Sequence, residues 1–584
     1  MNYVFPWDKT GVEYNKAYSE LEKQGFFESD LRIAVLGSHT LNYFSKILAV
    51  RLFESGLAAR VWTGPYGQVE AQLVNPSSEL NEFKPSIVLI VQELSDVIGE
   101  KHVAFLKGNE KDSLKKEIVS HCLSLSEKIN SLGAKALLTN FKVPETSVYG
   151  SMDYKQEHKG EKRFIQELNH SIEDAFANTD NAVIDLDSAC ANAGKIDSSK
   201  QKFKYLGDIH LSEREGVMLS EEVIGALYST LGKTKKCIVL DLDNTLWGGV
   251  IGEDGLSGIK LSQNNPVGKA FLDFQKEILK LHKRGIILAI NSKNNPEDAL
   301  EVFRKHGEII LKEENFAGMR INWQDKATNL RELASEINIG LDSMVFFDDD
   351  SFNIALVREQ LPQVTSILLP PDPAAYSLLL KSLRIFDAGR VTNEDLERGK
   401  SYAQERQRRE VEKSFTSFED FLKALNLTMK VRLVDEFTIP RISQLSQRTN
   451  QFNMTTRRYS EEDIKRFAES SNHKVFWMSV KDKFGDYGLI GVCIAELSGK
   501  TADLDSFYMS CRVLGKGVEN SFIWKCLQEL KKNGVETVTG SVIETQKNKA
   551  FIDFYEKAGF TKKSDKYEFS LSNEIKFPEH INWE

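Results

Sequence analysis

Short apolar runs alternate with helix-like segments in this chain, and this feature most limits the folds open to it. In the first third the runs are LRIAVLGSH (31–39), AARVWTG (58–64), PSIVLIVQ (85–92), AKALLTNF (134–141) and AVIDLD (182–187). Strands that are apolar on both faces occur in parallel sheets with helices on either side. The pattern therefore predicts a three-layer α/β domain.

The same rhythm returns in CIVLDLD, IILAINS, EIILK, MVFFDDD and SILLP, which predicts a second α/β domain. A charged, helix-like stretch follows, and then strands of antiparallel type that lead into one helix, which indicates an α+β domain. A chain of 584 residues is too long for one hydrophobic core. The predicted segments are an α/β domain at 1–232, a second at 233–375, a helical linker at 376–425 and an α+β domain at 426–584.

Composition excludes several classes of protein. The net charge of −9 argues against a nucleic-acid surface, since phosphate binding needs clustered Lys and Arg. The six cysteines show no CxxC spacing, which argues against a zinc site or a disulfide framework and suits the reducing cytoplasm. No window reaches the ~18 apolar residues of a membrane span, and the N-terminus has no signal-like pattern.

Polar residues stand at the carboxyl ends of the strands in the second domain. Asp241 and Asp243 follow CIVL, Ser292 ends the next strand, Asp348–Asp350 end a later one, and Lys326 opens a helix-like segment. Such strand ends converge at one edge of a parallel sheet, where ligands bind. Clustered carboxylates need a hard cation such as Mg²⁺, and together with a lysine and a hydroxyl they predict a site for a phosphoryl group.

These residues carry a specific resemblance. DLDNT matches the DxDxT signature of the haloacid dehalogenase (HAD) phosphatase superfamily, and LAINSKNN, NWQDKATNL and VFFDDDSFN follow in the superfamily's order. The longer strings DLDNTLWGGVIGEDG, SKNNPED and INWQDKATNL resemble the FkbH-like branch, also called the HAD-IIIC phosphatases. Four motifs in the superfamily's order are far more specific for this superfamily than one acidic residue at the end of a strand.

The resemblance implies roles for these residues. Asp241 would be the nucleophile that forms an aspartyl-phosphate, and Asp243 would protonate the leaving oxygen and then deprotonate water. Ser292 and Lys326 would bind phosphoryl oxygens, while Thr245 would orient the loop. The implied Mg²⁺ ligands are Asp241, the backbone carbonyl of Asp243, Asp349 and, as a ligand or a supporting group, Asp348. Asp350 is interpreted as a turn residue.

No stretch between Thr245 and Ser292, or between Ser292 and Lys326, is long enough for an inserted domain. The resemblance therefore implies a capless HAD domain of Rossmann-like type. An open site admits a large substrate, such as a phosphopantetheine arm on a carrier protein.

The last segment resembles GNAT-type acyltransferases. Arg512, Gly515 and Gly517 form an RxxGxG between a strand and a helix, which is similar to that family's pyrophosphate loop. Asn548 and Tyr555 lie in a stretch similar to its closing helix. The resemblance implies binding of an acyl-CoA or of a phosphopantetheine arm, with or without acyl transfer.

The first segment resembles a degenerate SGNH hydrolase. Ser38 and His39 follow the first strand, and Asp208 and His210 lie near the domain's end. The spacing is Asp-x-His instead of Asp-x-x-His, and VQELSD replaces the expected Gly-x-Asn-Asp. Two interpretations stay open, a working Ser38–His210 pair and a scaffold or docking domain.

FkbH-like proteins remove phosphate from 1,3-bisphosphoglycerate and load a glyceryl unit onto an acyl carrier protein. A cysteine that precedes the motif serine is proposed to hold the acyl group, and here that position is Asn291, which cannot form a thioester. Cys237 and Cys511 lie away from that position. The first hypothesis is therefore direct loading of a carrier thiol. The alternatives are a plain phosphatase on another phosphorylated metabolite or on a sugar of a surface-polysaccharide pathway, and a non-catalytic scaffold that holds a carrier protein.

Overall fold

The chain forms two compact units. Of the described residues, the first unit contains 5–234 and Ser382–Gly389, and the second contains Lys235–Lys381 and those beyond Gly389. The computed structural model describes residues 5–99, 101–156, 160–195, 198–389, 391, 396, 415, 417–510, 513–573, 575 and 577–584. Most of the predicted linker helix, from 390 to 416, lies outside the described residues.

The first unit contains a five-stranded parallel sheet in the order β2-β1-β3-β4-β5. Its strands are β1 Arg32–Gly37, β2 Arg60–Thr63, β3 Ile87–Val91, β4 Lys135–Thr139 and β5 Ala182–Ile184. Its helices are α1 Gly11–Lys23, α2 Asn42–Glu54, α3 Val69–Val74, α4 Glu79–Phe83, α5 Leu94–Ile98, α6 Gly108–Ser131, α7 Glu161–Phe176, α8 Leu186–Ala193, α9 Ser198–Gly207 and α10 Glu213–Thr230. This strand order is the flavodoxin-like one, and the predicted α/β fold is confirmed.

Two apolar clusters form the core of this unit, one that includes strand residues and one among its helices. Val88 and Ile90, which alternate along β3, belong to a cluster with residues of α6 and α7. Ile47 of α2 packs with Tyr14 of α1 and Val217 of α10 in the other cluster. The fully apolar strands noted in the sequence are thus buried because helices cover both faces.

The second unit begins with another five-stranded parallel sheet, in the order β10-β9-β6-β7-β8. Its strands are β6 Cys237–Leu240, β7 Ile287–Ser292, β8 Phe316–Ile321, β9 Met344–Asp348 and β10 Thr365–Leu368. Its helices are α11 Ile251–Gly258, α12 Pro266–Lys283, α13 Pro296–Lys305, α14 Lys326–Ile337, α15 Ser351–Gln360 and α16 Tyr376–Ser382. The structure describes every residue of this stretch. In it α11, α12 and α13 connect successive strands and no further domain is inserted between them, so the domain has no cap.

The remainder of the second unit is an α+β domain around an eight-stranded mixed sheet, in the order β16-β17-β15-β14-β13-β12-β11-β18. Its strands are β11 Leu427–Leu433, β12 His473–Asp482, β13 Gly485–Ser498, β14 Thr501–Met509, β15 Thr537–Gly540, β16 Thr561–Lys563, β17 Lys566–Ser570 and β18 Ile581–Trp583. Its helices are α17 Phe418–Leu425, α18 Ile439–Arg448, α19 Glu461–Glu469, α20 Val518–Lys532 and α21 Phe554–Lys557. The long strands β11–β14 are antiparallel, as predicted, whereas β14 and β15 pair in parallel across α20.

Short 3₁₀ helices lie at Pro6–Asp8, Val103–Phe105, Gly150–Lys155, Glu313–Asn315, Leu341–Ser343, Pro373–Ala375, Arg384–Phe386 and Lys549–Phe551. Among the helices that the structure describes, none combines the length and the hydropathy that crossing a bilayer requires.

Candidate active site

Lys326 lies at the centre of the carboxyl edge of the second sheet. It is the first residue of α14, it is fully buried, and its Nζ lies 2.9 Å from Asp241 Oδ1 and 3.2 Å from Asp348 Oδ2. Nζ also donates to the carbonyl oxygen of Asn291 at 2.8 Å, so all three N–H bonds of the ammonium have an acceptor. Burial alone would lower the pKa of Lys326, but the two carboxylates raise it above its ordinary value, and the side chain stays charged.

Three carboxylates gather beside this ammonium. Oxygens of Asp241, Asp348 and Asp349 all lie within 4.8 Å of one another. Burial raises the pKa of Asp348 to about 6 against the opposing effect of Lys326. Burial, followed by repulsion from Asp348 and Asp241, raises the pKa of Asp349 to about 7. One ammonium does not compensate three carboxylates, and clustered carboxylate oxygens are the ligands that a hard divalent cation takes.

Asp243 is held in the loop that follows β6. Its Oδ1 accepts from Trp247 Nε1 at 2.9 Å and from the backbone N–H of Ile251 at 3.1 Å, and its Oδ2 accepts from Asn294 Nδ2 at 2.8 Å. The same amide of Asn294 lies 3.3 Å from Ser292 Oγ. Asn294 therefore holds the Asp243 carboxylate and the Ser292 hydroxyl next to each other.

Asn291 and Ser292 end β7 with their side chains on opposite faces. Ser292 is 1% exposed and its hydroxyl lies beside Asn294, whereas Asn291 is completely buried against α14. Asn291 Nδ2 donates to the carbonyl oxygen of Lys326 at 2.9 Å, and its Oδ1 accepts from Asn329 at 3.0 Å. The position at which an acyl-carrying cysteine was expected therefore faces the helix that positions Lys326.

The structure brings the predicted residues Asp241, Asp243, Ser292, Lys326, Asp348 and Asp349 to one edge of the sheet. Sequence reasoning missed the amides that hold them, Asn294 at Asp243 and Asn353 at Asp348, the latter with Nδ2 3.2 Å from Oδ2. It also missed Trp247. The asparagines in SKNN and SFN were the available sequence signal for these two amides. Loop residues follow no periodic pattern, so this signal did not distinguish them from other loop residues.

Two secondary interpretations have different outcomes. Asp350 is the N-cap of α15 and its Oδ1 accepts from the Phe352 N–H at 2.8 Å, so it is a turn residue as interpreted. Thr245 was expected to orient the loop, but its buried hydroxyl has no hydrogen-bond partner among the described residues. Its backbone N–H, which donates to the Leu242 carbonyl at 3.1 Å, takes part in the turn instead.

Comparisons with known proteins agree with this geometry. Residues 32–212 match the family model "FkbH, N-terminal domain", and residues 233–375 match the model "Acid Phosphatase". A solved structure of the N-terminal part of protein BF1531 from Bacteroides fragilis, described as containing a phosphatase domain complexed with Mg, is 30% identical with a TM-score of 0.56. The match covers 65% of this chain and 100% of that one. The chain belongs to the FkbH-like family. It is an enzyme of the phosphatase class within the HAD superfamily.

Other matches concern the last part of the FkbH-like chain. The ribosomal-protein-S18-alanine N-acetyltransferase of Escherichia coli is 16% identical over 24% of this chain and 89% of that one, with a TM-score of 0.19. The spermidine/spermine N-acetyltransferase SpeG of Vibrio cholerae is 15% identical over 26% and 95%, with a TM-score of 0.20. No curated protein matches the sequence.

The GNAT-like residues of this FkbH-like protein serve the α+β domain itself. Asn548 is 1% exposed, and its amide bonds to Thr545 and to two backbone carbonyls, while Tyr555 is completely buried in the core. The backbone N–H of Gly515, which the resemblance assigns to a pyrophosphate, donates to Glu519 Oε1 at 3.0 Å. Gly517 has a φ of 75° at the start of α20.

Asn548 and Tyr555 are enclosed by the protein, and a carboxylate of the same chain accepts from the loop amide of Gly515. Binding of an acyl-CoA or of a pantetheine arm by these residues stays a prediction. Arg512 and Cys511 lie outside the described residues.

Ser38 and His39, which follow β1, lie near Asp208 and His210, which precede α10 of the first unit. Ser38 Oγ accepts from the Glu93 N–H at 3.3 Å, and the rings of His39 and His210 stack at 4.7 Å. His210 Nδ1 lies 3.4 Å from Glu93 and Nε2 lies 2.9 Å from Asp208, and these carboxylates raise its pKa. The described residues contain no Ser38–His210 hydrogen bond, because both ring nitrogens face carboxylates. A working pair stays a prediction.

Proposed function

We propose that this FkbH-like protein is a Mg²⁺-dependent phosphatase in which Asp241 is the nucleophile. The observation that carries the proposal is the contact of Lys326 with both Asp241 and Asp348 inside a cluster of three carboxylates. The ammonium holds the Asp241 side chain in place at the strand end. The donor set fits Mg²⁺, and the residues that would hold it are Asp241, Asp349, Asp348 and the backbone carbonyl of Asp243.

The protein residues carry the two chemical steps. A carboxylate oxygen of Asp241 attacks phosphorus, the bond from phosphorus to the leaving oxygen breaks, and Asp243 gives that oxygen its proton. Asp243 then takes a proton from water, the water oxygen attacks phosphorus, and the aspartyl-phosphate bond breaks to release phosphate. The Ser292 hydroxyl binds a phosphoryl oxygen, and Lys326, whose N–H bonds have acceptors in the protein, attracts the phosphoryl group by its positive charge. When bound, Mg²⁺ supplies positive charge against the carboxylates and the phosphoryl group.

Three further properties belong to the proposal. The substrate is a phosphorylated acyl compound of the 1,3-bisphosphoglycerate type. Asp241 removes the phosphate that the substrate carries on its alcohol oxygen. The thiol of an acyl carrier protein loses its proton and attacks the acyl carbon, the carbon–oxygen bond to the acyl phosphate breaks, and phosphate leaves as the glyceryl thioester forms. The match of residues 32–212 to the FkbH N-terminal domain supports a carrier partner. The five cysteines that the structure describes form no disulfide with one another, which supports a reducing, cytoplasmic location.

Transfer would be direct, without an acyl group on a protein cysteine. Asn291 replaces the expected cysteine and bonds to α14. Cys237 stands at the opposite end of β6, where complete burial raises its pKa above the ordinary value. A buried protonated thiol does not attack an acyl phosphate.

Phosphate release from 1,3-bisphosphoglycerate tests the first part of this proposal. We expect release with Mg²⁺, none with EDTA, and a loss of at least 100-fold in Asp241→Asn. Undiminished release from Asp241→Asn would reject the mechanism and leave the carrier-holding scaffold as the better interpretation.

Mass spectrometry of a carrier protein incubated with the enzyme and the same substrate tests transfer. A mass increase that matches a glyceryl thioester supports it. Free phosphate beside an unmodified carrier supports a plain phosphatase, acting on another metabolite or on a sugar of a surface-polysaccharide pathway.

A further inference from the structure

A cavity of about 640 Å³ lies within the second unit, between the phosphatase domain and the α+β domain. One wall is the amino-terminal edge of the phosphatase sheet, which contributes Lys236 before β6 and Ile287 at the start of β7. Asp241 follows the other end of β6, and the five residue steps from Lys236 span about 16 Å of strand. A small molecule in this cavity is therefore separated from the phosphoryl site by the length of a strand.

Two contacts join this wall to the α+β domain. Lys236 Nζ donates to the carbonyl oxygen of Arg448, the last residue of α18, at 2.9 Å. Lys547 Nζ lies 2.5 Å from Asp342 Oδ2, which belongs to the loop before β9. All four residues line the cavity. The contacts hold the two walls together, so the cavity is a fixed feature of the unit.

The cavity is strongly positive. The charged side chains that line it are four cations and one carboxylate, namely Lys236, Arg441, Arg448, Lys547 and Asp342. The chain as a whole has the opposite sign, with a net charge of −9. Burial alone would raise the pKa of Asp342, but Lys547 and two further lysines hold it below its ordinary value. Even the one carboxylate thus lies in positive surroundings, which attract an anion.

Apolar side chains form much of the remaining lining. They are Ile287, Ile339, Leu341, Leu445, Phe452 and Met509. The Met509 N–H donates to the Phe452 carbonyl at 3.0 Å, so β14 holds part of this surface in place. Sites for small molecules are typically cavities of about 300–1,000 Å³ with an apolar lining and a few charged groups that fix the orientation of the ligand. The size and the lining of this cavity match such a site.

We propose that this cavity binds a small organic phosphate. The phosphate group pairs with Arg448, Lys236 and Lys547, and the carbon body lies against the apolar surface. Because the lining comes from both domains, the bound ligand touches the phosphatase domain and the α+β domain together. This second site is independent of the proposed phosphatase reaction, since none of its residues belongs to the carboxylate cluster.

Calorimetric titration of the full chain with phenyl phosphate, inorganic phosphate and phenol tests the site. The titrations are done in EDTA at pH 8, where the carboxylate cluster beside Lys326 repels phosphate. We expect phenyl phosphate to bind about tenfold more tightly than inorganic phosphate, since its ring leaves water, and phenol to show no binding.

Two substitutions remove cations from the lining. Arg448→Gln keeps the carbonyl that accepts from Lys236, and Lys547→Gln changes a side chain that is 53% exposed, so both variants should fold. Each should weaken the binding of phenyl phosphate about fivefold or more. Arg466→Gln is the matched control, because Arg466 is 71% exposed on α19 and does not line the cavity, and it should bind as the wild type does.

Hydrogen exchange shows where phenyl phosphate binds. We expect slower exchange in residues 339–343 and 441–451 and no change in residues 241–251 and 292–296. Protection confined to the latter two ranges, no detectable binding, or equal affinities for phenyl phosphate and inorganic phosphate would reject the second site. Unchanged affinity in both Arg448→Gln and Lys547→Gln would also reject it and would mean that these cations only join the two domains. None of these measurements depends on phosphate release, so a failure of the proposed phosphatase activity is a separate result.

Discussion

At the scale of single residues, Lys326 compensates the charge of Asp241 and Asp348 from a fully buried position. Lys326→Met leaves two buried carboxylates without their cation. We expect the unit that contains it to lose about 3 kcal/mol of stability without Mg²⁺ and kcat to fall at least 100-fold. Urea unfolding followed by hydrogen exchange, together with phosphate release, measures both effects.

Lys280→Met is the control for this substitution. Lys280 is 70% exposed and pairs with Glu277 on the helix surface, so the change should cost less than about 0.5 kcal/mol. If the two variants were equally stable and equally active, the charge compensation assigned to Lys326 would be wrong.

The position of Asn291 makes a second prediction. Because its side chain bonds to α14, Asn291→Cys should lose two hydrogen bonds, lower the stability by about 2 kcal/mol and place the new thiol in the interior. A thiol reagent should therefore find no additional fast-reacting group in the folded variant compared with the wild type. A rapid extra equivalent would show that position 291 opens toward the site.

At the scale of elements, the loop between β7 and α13 joins the two halves of the site. Asn294→Ala removes the donor shared by Asp243 and Ser292, so we expect kcat to fall about tenfold while KM changes little, since Asp243 loses its orientation. Steady-state phosphate release measures this. Asn295→Ala, which alters only an exposed contact to Asp298, should keep the wild-type kcat; a similar loss there would assign the effect to the loop as a whole.

The elements also show what the sequence could predict. Apolar runs of four to six residues predicted β6, β7 and β9. Because the carboxyl ends of parallel strands lie at the same edge of a sheet, the sequence alone also predicted that Asp241, Ser292 and Asp348 lie together. Asn294 and Asn353 could not be placed in this way, since their roles depend on loop backbone that has no repeating pattern. The burial of Asn548 and Tyr555 was not predicted either, since a motif in the sequence does not show whether its side chains are exposed.

At the scale of the whole molecule, the chain is two compact units, and the carboxylate cluster lies in one of them. Unfolding of such a chain need not be a single transition. A ligand stabilises the unit that binds it, so Mg²⁺ should increase hydrogen-exchange protection in residues 235–381 and leave residues 32–212 unchanged. Equal protection of both ranges would indicate that the two units unfold together.

The pH dependence of the Mg²⁺ effect follows from the same cluster. Folding raises the pKa of Asp349 to about 7 and that of Asp348 to about 6, above the ordinary 3.8. These carboxyls therefore contribute stability below about pH 4 that is lost as the pH rises through 6 and 7, where both become charged. Mg²⁺ binds the charged forms, so its increase in melting temperature should be larger at pH 8 than at pH 5.

Thermal unfolding in Mg²⁺ or EDTA at pH 5, 6.5 and 8 measures this difference. Asp349→Asn removes one of the two titrations and one of the oxygens offered to Mg²⁺, so it should raise the stability in EDTA at pH 8 and reduce the Mg²⁺ effect at every pH. Asp273→Asn, a half-exposed carboxylate that pairs with Lys276, should behave as the wild type does. A Mg²⁺ effect that is independent of pH in the wild type would mean that Asp348 and Asp349 are already ionised without the ion, and that Lys326 compensates the cluster more fully than its contacts indicate.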